Sequence, residues 1–215
     1  MAPTSAPAVV VVGSLNMDIV VPVPRHPMPG ETIIGADSLR TPGGKGANQA
    51  VAAARLGQQV AMVGRVGGDD AGRTLLAALG DYGVDYSRVA ESTETPTGIA
   101  LITVDPGGEN IIVVSSGANA RLGRADVEAA ARVVASASAV LLQLEVPLEA
   151  SIEAASRASG TVILNPAPAP SDRLPAELLE AVDVLVPNRS ELADLAGVAA
   201  RGSLEQLEAL ARSVE

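Results

Sequence analysis

Short apolar runs alternate along the chain with segments whose apolar residues recur at helical spacing. The runs predict buried strands at 8–15, 59–66, 139–144, 161–165 and 182–186. The periodic segments predict helices at 48–56, from Asp69 or Asp70 to about Tyr82, at 126–135, at 147–158, and from Asn188 to Gly197. This alternation indicates an α/β fold, a doubly wound and mostly parallel sheet with helices on both faces.

Two regions break the alternation, because their strand-like segments follow one another without a helix between them. These segments lie at 19–23 and 32–39, and again at 98–104 and 110–115, where 105–108 favours a hairpin turn. We expect them, within 19–40 and 97–116, to form a small separate β-sheet that covers the strand ends as a lid. The alternative is that they are extra edge strands of the main sheet.

The two ends of the chain differ in character. Residues 1–7 are rich in Pro, Ser and Ala and predict a loose tail, so the α/β domain is expected over 8–215. Ser203 and Gln206 form a capping-box pattern that opens a helix. In a parallel α/β unit a helix leads to another strand and none follows here, so we expect a domain that is incomplete at its C-terminus.

Composition excludes several classes of function. With 15 basic and 25 acidic residues the net charge is −10, which argues against a nucleic-acid partner. Two tyrosines, no Trp and no Phe argue against a site that stacks bases or sugar rings. No cysteine and a single histidine, His26, leave no thiolate chemistry and no multi-histidine metal site. No segment approaches a membrane helix, and no basic region precedes the first apolar run. We therefore expect no secretory signal, a cytoplasmic protein and no membrane partner.

Polar residues follow two of the predicted strands. Asn16 and Asp18 come just after the first strand, and Glu145 ends the strand at 139–144. Doubly wound sheets bind ligands outside the carboxyl ends of their strands, where amide and carboxylate groups can bind sugar hydroxyls. The alternative for all three is an ordinary turn or surface position.

A glycine-rich segment at 41–48 precedes a predicted helix. Its glycines allow backbone amides to approach a ligand, and the helix N-terminus offers free donors. Lys45 is followed by Gly46, so this is not a Walker A loop, and the first strand does not end in the dinucleotide fingerprint. Taken alone, such a turn is as often structural as functional.

The spacing of several motifs resembles the N-terminal signature of the ribokinase-like, phosphofructokinase-B-type carbohydrate kinases. The matching positions are Gly43, Gly44, Gly46, Asn48, Ala50, Gly57 and Gly67, together with the segments 13–18, 64–72, 143–145, 165–169 and 188–191. The resemblance implies an α/β domain with a β-lid, phosphorylation of the 5-hydroxyl of D-ribose by ATP, and a homodimer formed through the lid. It also implies Mg²⁺ and a monovalent cation, K⁺, as cofactors.

The resemblance assigns roles to individual residues. It places the sugar against Asn16, Met17, Asp18, Gly44, Lys45, Gly46, Ala47, Asn48 and Glu145. It places Asn188 at the nucleotide phosphates and Glu191 near Mg²⁺, through water. The alternative for Lys45 is a solvated surface lysine, and for Asn188 and Glu191 a helix cap and its capping-box partner.

One family motif has no counterpart in the sequence. The family draws its catalytic base and anion hole from a Gly-Ala-Gly-Asp segment, which does not occur here. We therefore expect no catalytic residue in this chain and no kinase activity from it alone. The alternatives are a non-catalytic sugar-binding or dimerisation module, or a kinase for another sugar or a nucleoside.

Overall fold

The structure is a computed structural model that describes residues 7–169 and 173–196, together with 206 and 209. Its strands are β1 (Val9–Val12), β2 (Asn16–Pro22), β3 (Leu39–Gly43), β4 (Val60–Gly67), β5 (Asp85–Ser92), β6 (Gly98–Val104), β7 (Asn110–Ser115), β8 (Ala139–Leu142), β9 (Thr161–Leu164) and β10 (Val184–Leu185). Its helices are α1 (Lys45–Arg55), α2 (Asp70–Asp81), α3 (Arg124–Ala129), α4 (Ala131–Ser136), α5 (Leu148–Arg157), α6 (Ala176–Leu179) and α7 (Arg189–Leu195), with a 3-10 turn at Gly117–Arg121.

The main sheet confirms the predicted α/β class. Among the described residues it has six strands in the order β10-β9-β8-β1-β4-β5, and every neighbouring pair is parallel. The chain moves outward from β1 in both directions, so the strand order reverses between β1 and β8. Such a switch point opens a crevice at the carboxyl ends of the two strands.

Helices cover both faces of this sheet because its central strands are apolar on both sides. On β1, Val10 and Val12 belong to a core beneath α3, α4, α5 and α6. Val11, between them, belongs to a second core beneath α1 and α2. All three valines are fully buried, which fixes β1 as the centre of the fold.

The second sheet confirms a separate β-layer and excludes the alternative of extra edge strands. Its order is β3-β2-β6-β7, with β2 and β6 parallel and both outer pairs antiparallel. We call these four strands the lid sheet. β2 leaves β1 after only three residues, so the lid sheet begins directly at the crevice.

The strand predicted at 32–39 is wrong. Only Leu39 of that segment is in a strand, and the partner of β2 is Leu39–Gly43 instead. The apolar pair Ile33-Ile34 suggested a strand, yet Ile34 is 90% exposed. β3 must run straight into α1, so the residues nearest α1 occupy the edge of β2.

Several smaller differences have local causes. The sequence pattern does not predict β5, because its residues are mostly polar at an exposed edge of the sheet. The helix predicted at 126–135 divides into α3 and α4 at Ala130. The predicted tail and the C-terminal capping box at Ser203 lie outside the described residues, apart from Pro7 and Gln206. Within the described part of the chain, no helix is long and apolar enough to span a membrane.

Candidate active site

The crevice at the switch point brings together residues that are far apart in sequence. Residues 13–16 leave the end of β1, residues 143–145 leave the end of β8, and α1 begins beside them at Lys45. The three segments meet at the carboxylate of Glu145.

Glu145 is held by three hydrogen bonds that all end on one carboxylate oxygen. Its Oε2 accepts from Ser14 Oγ at 2.6 Å, from the backbone N–H of Lys45 at 3.1 Å and from Asn16 Nδ2 at 3.5 Å. No described residue donates to Oε1. The side chain is half-buried. One oxygen therefore anchors the side chain, and the other is available to accept a hydrogen bond from a ligand.

Asp18 lies on the lid strand β2 at the same crevice. Burial raises the pKa of its carboxyl group above the usual 3.8, and the negative charge of Glu145 raises it further. A Cβ at Gly43 would lie 2.1 Å from Asp18 Oδ2, so the Asp18 carboxylate fills space that only glycine leaves open. The carboxylates of Asp18 and Glu145 are therefore near enough for their charges to interact.

The start of α1 packs against the end of β1 without intervening side chains. Gly44 has a φ of 92°, and a Cβ there would lie 2.7 Å from the backbone nitrogen of Asn16. A Cβ at Gly46 would lie 2.6 Å from the backbone nitrogen of Ser14. The backbone N–H of Gly46 donates to Ser14 Oγ at 3.2 Å. These glycines allow the start of α1 to pack closely against the end of β1, and this places the Lys45 N–H within hydrogen-bonding distance of Glu145.

The remaining predicted site residues contribute in different ways. Met17 and Ala47 are 7% and 6% exposed and pack in the core beneath α1 and α2, so they support the crevice from below. Asn48 is exposed and lines a groove of about 370 Å³ between α1 and α2, with Thr41 and Pro42. The structure does not join its side chain to the hydrogen-bonded group around Glu145.

A second polar group lies at the same edge of the sheet, after β9 and β10. Asn188 caps α7: its Oδ1 accepts from the backbone N–H of Glu191 at 2.9 Å. Glu191, 8% exposed, accepts in return from the backbone N–H of Asn188 at 2.7 Å and from Asn188 Nδ2 at 2.8 Å. Asn165 Nδ2 lies 3.5 Å from Glu191 Oε2. The capping-box interpretation is therefore confirmed.

This arrangement limits what Glu191 can do for a metal ion. Both of its oxygens already accept hydrogen bonds, which leaves one acceptor position on Oε1. No three Asp, Glu or His side chains of the described residues form a metal-binding group. Mg²⁺ keeps several of its waters in proteins, so the remaining position on Glu191 Oε1 fits a contact to a metal-bound water.

Sequence reasoning missed two residues of the crevice. Ser14 lies within the matching segment 13–18, and its hydroxyl directly after a buried strand is the signal that identifies it. Asn119 is 1% exposed and donates to Asn16 Oδ1 at 2.8 Å. No local pattern marks it, because its partners lie more than 100 positions away.

Fold and site define an α/β protein with a carboxylate-lined crevice at the switch point of its sheet. The sequence pattern of the pfkB family carbohydrate kinases matches residues 6–215. The chain belongs to the pfkB family of carbohydrate kinases.

A ribokinase is among the proteins similar to the chain. A ribokinase from Haemophilus influenzae is 41% identical over 191 residues, which cover 87% of this chain and 62% of that protein. The chain thus spans about three fifths of the length of this relative.

Solved structures show the same fold. The structure of Arabidopsis thaliana ribokinase complexed with ribose and ATP matches with a TM-score of 0.84 at 36% identity. The match covers 98% of this chain and 69% of the Arabidopsis chain. The ribokinase of Cryptococcus neoformans in complex with ADP matches with a TM-score of 0.81 at 33% identity, over 97% of this chain and 67% of the Cryptococcus chain.

Proposed function

We propose that the chain forms the sugar-binding part of a kinase that transfers a phosphoryl group from ATP to the 5-hydroxyl of D-ribose. The observation that carries this proposal is the carboxylate of Glu145, anchored through Oε2 and open at Oε1, beside the carboxylate of Asp18. Similarity to ribokinases, one of them complexed with ribose and ATP, supports it.

Vicinal hydroxyls match this arrangement of donors and acceptors. Each hydroxyl can donate one hydrogen bond and accept others, so two neighbouring hydroxyls can donate to Glu145 Oε1 and to Asp18 while accepting from Asn16 Nδ2. Hydrogen bonds to ionised groups are the stronger ones, and those to a half-buried carboxylate discriminate against analogues that lack the hydroxyl. The residues around this crevice thus bind and orient the sugar without aromatic stacking.

We infer that ATP binds at the same edge of the sheet, beyond the ends of β9 and β10. Asn188 would contact the nucleotide phosphates and Glu191 would hold a water of Mg²⁺, while K⁺ remains implied by family resemblance alone. Bound Mg²⁺ would neutralise phosphate charge during transfer. The ribokinase structures complexed with ATP and with ADP support the use of a nucleotide.

We assign no catalytic base to this chain. Phosphoryl transfer needs a group that accepts the proton of the attacking hydroxyl, and the Gly-Ala-Gly-Asp segment expected to supply it does not occur in the sequence. The 215-residue chain is therefore proposed to bind ribose without phosphorylating it.

A homodimer through the lid sheet is part of the proposal. On β7, Ile112, Val113 and Val114 are 50%, 61% and 45% exposed. β7 is the outer strand of its sheet among the described residues, so it presents both apolar side chains and an unpaired backbone edge. A second copy of the lid sheet would cover both the apolar side chains and the backbone edge.

A cytoplasmic location stays a prediction.

The test is a titration of the purified 215-residue chain with D-ribose, D-fructose and adenosine by calorimetry, followed by a coupled assay for ribose 5-phosphate with MgATP. We expect ribose to bind most tightly and no product to form. Tighter binding of fructose or adenosine would favour a kinase for that substrate. Binding of none of the three, or a normal rate of ribose 5-phosphate formation, would contradict the proposal.

A further inference from the structure

A buried asparagine outside the predicted site lies against the junction of β1 and β2. Asn119 belongs to the 3-10 turn that follows β7, and only 1% of its surface is exposed. Its amide forms three hydrogen bonds, all of them to Leu15 and Asn16. The segment after β7 is thus bonded, through the Asn119 side chain, to the residues that begin the crevice.

The orientation of the Asn119 amide is fixed by the backbone of Leu15. Asn119 Oδ1 accepts from the Leu15 N–H at 2.9 Å, and Asn119 Nδ2 donates to the Leu15 carbonyl at 3.0 Å. A backbone N–H can only donate and a carbonyl can only accept. Only one of the two amide orientations satisfies both groups.

That orientation determines the orientation of Asn16. Asn119 Nδ2 also donates to Asn16 Oδ1 at 2.8 Å, so the Asn16 oxygen faces Asn119 and the Asn16 Nδ2 faces Glu145. Gly98 pairs with Asn16 in the lid sheet. A Cβ at Gly98 would lie 2.2 Å from Asn16 Oδ1 and 2.3 Å from Asn119 Nδ2, so glycine leaves the room that this contact needs.

We propose that Asn119 is a positioning residue that presents the donor end of the Asn16 amide to the sugar. The inference rests on the proposed function. With Asn16 fixed in this way its N–H₂ group is a donor beside the two acceptors Asp18 and Glu145. With Asn16 reversed, its oxygen would face the Glu145 carboxylate and the donor that Asn16 supplies to the sugar would be lost. Asn119 therefore selects for hydroxyls that accept as well as donate.

A double-mutant cycle tests this role with two measurements on the 215-residue chain. Ribose affinity and urea unfolding are compared for the unmodified chain, Asn119→Ala, Asn16→Ala and the double variant. We expect Asn119→Ala to weaken ribose binding about fivefold to tenfold, and to have no further effect on binding in the Asn16→Ala background. Its effect on unfolding, exerted through Leu15, should persist in both backgrounds.

A second variant covers the case in which Asn119→Ala does not fold. Asn119→Asp keeps the volume and the acceptor for the Leu15 N–H but has no donor for Asn16, so we expect the same loss of ribose affinity. The exposed Asn110 at the start of β7 supplies the control, since Asn110→Asp should leave ribose affinity unchanged.

The outcomes separate the inference from the proposed function. If the effects of Asn119→Ala and Asn16→Ala on ribose affinity are additive, or if Asn119→Asp binds ribose normally, the positioning role is overturned and the proposed function stands. If the unmodified chain binds no ribose, both are overturned.

Discussion

Ser14 and Glu145 are 131 positions apart, and Ser14 Oγ donates to Glu145 Oε2 at 2.6 Å. The bond joins the loop after β1 to the loop after β8, the two strands between which the strand order reverses. It is the shortest of the three bonds that hold the Glu145 carboxylate, so much of the geometry of the crevice depends on a serine hydroxyl.

Replacement of this serine should loosen the crevice. Ser14 is fully buried, and Ser14→Ala leaves the Gly46 N–H and one position on Glu145 Oε2 without a partner. We expect about 1–2 kcal/mol loss in the free energy of unfolding and roughly tenfold weaker ribose binding. Urea unfolding and calorimetry measure the two. The exposed Ser136→Ala should change each by less than about 0.5 kcal/mol, and an unchanged ribose affinity in Ser14→Ala would contradict this assignment.

Asp18 should make stability depend on pH in the sense opposite to most acids. Burial and the charge of Glu145 raise the pKa of its carboxyl group in the folded chain, so the folded state holds the proton more tightly than the unfolded state. Stability contributed by this group therefore falls as the pH rises from about 3.8 through the raised pKa.

Asp18→Asn removes this charge and isolates its effect. We expect the variant to unfold at higher urea concentration than the unmodified chain at pH 7, with a smaller difference below pH 3.8. Its ribose binding should weaken, because an amide N–H₂ replaces an acceptor oxygen. The exposed Asp37→Asn is the control and should not change stability at either pH. A variant that is less stable at pH 7 would disprove the unfavourable burial of the Asp18 charge.

Asp69 ties the lid sheet to the main domain. Its Oδ1 accepts from the Gly72 N–H at 2.8 Å, which caps α2, and from Thr97 Oγ1 at 2.6 Å. Its Oδ2 accepts from the Thr97 N–H at 2.9 Å, immediately before β6.

Removal of the Asp69 carboxylate should lower the free energy of unfolding. Asp69→Ala removes a helix cap and leaves the buried Thr97 without these partners, so we expect a loss of about 2–3 kcal/mol in urea unfolding. Asp70→Ala changes a side chain that is 98% exposed and should cost less than about 0.5 kcal/mol. Equal effects of the two substitutions would rule out this role for Asp69.

The lid sheet supplies a prediction about assembly. Ile112 is half exposed on β7, and Ile112→Lys would place a charge in the proposed dimer interface. We expect sedimentation to show a dimer for the unmodified chain and a folded monomer for the variant. The control Leu56→Lys, at an exposed position after α1, should leave the dimer intact. A monomeric unmodified chain would eliminate the proposed interface.

The sequence allowed the main sheet and its ligand-binding edge to be predicted, because both depend on local patterns. Apolar runs marked β1, β4, β8 and β9, and the polar residues that follow such strands must lie at one edge of a parallel sheet. Asn16 and Glu145 were therefore placed correctly at the same crevice.

Other features depended on contacts that no local pattern encodes. The strand expected at 32–39 failed because the connection to α1 decides which residues pair with β2. The polar edge strand β5 carries no apolar alternation. Asn119 acts on residues 103 and 104 positions away, so neither spacing nor composition could have identified it.

The most direct test of the account compares ribose binding by the unmodified chain with binding by Glu145→Gln. Glutamine can still accept from Ser14 and Lys45 on one side, but it presents N–H₂ where the free Oε1 now faces the crevice. Glu149→Gln, at an exposed position on α5, is the matched control. We expect at least a tenfold loss of ribose affinity in Glu145→Gln and none in Glu149→Gln. Equal ribose affinity in all three proteins would contradict it.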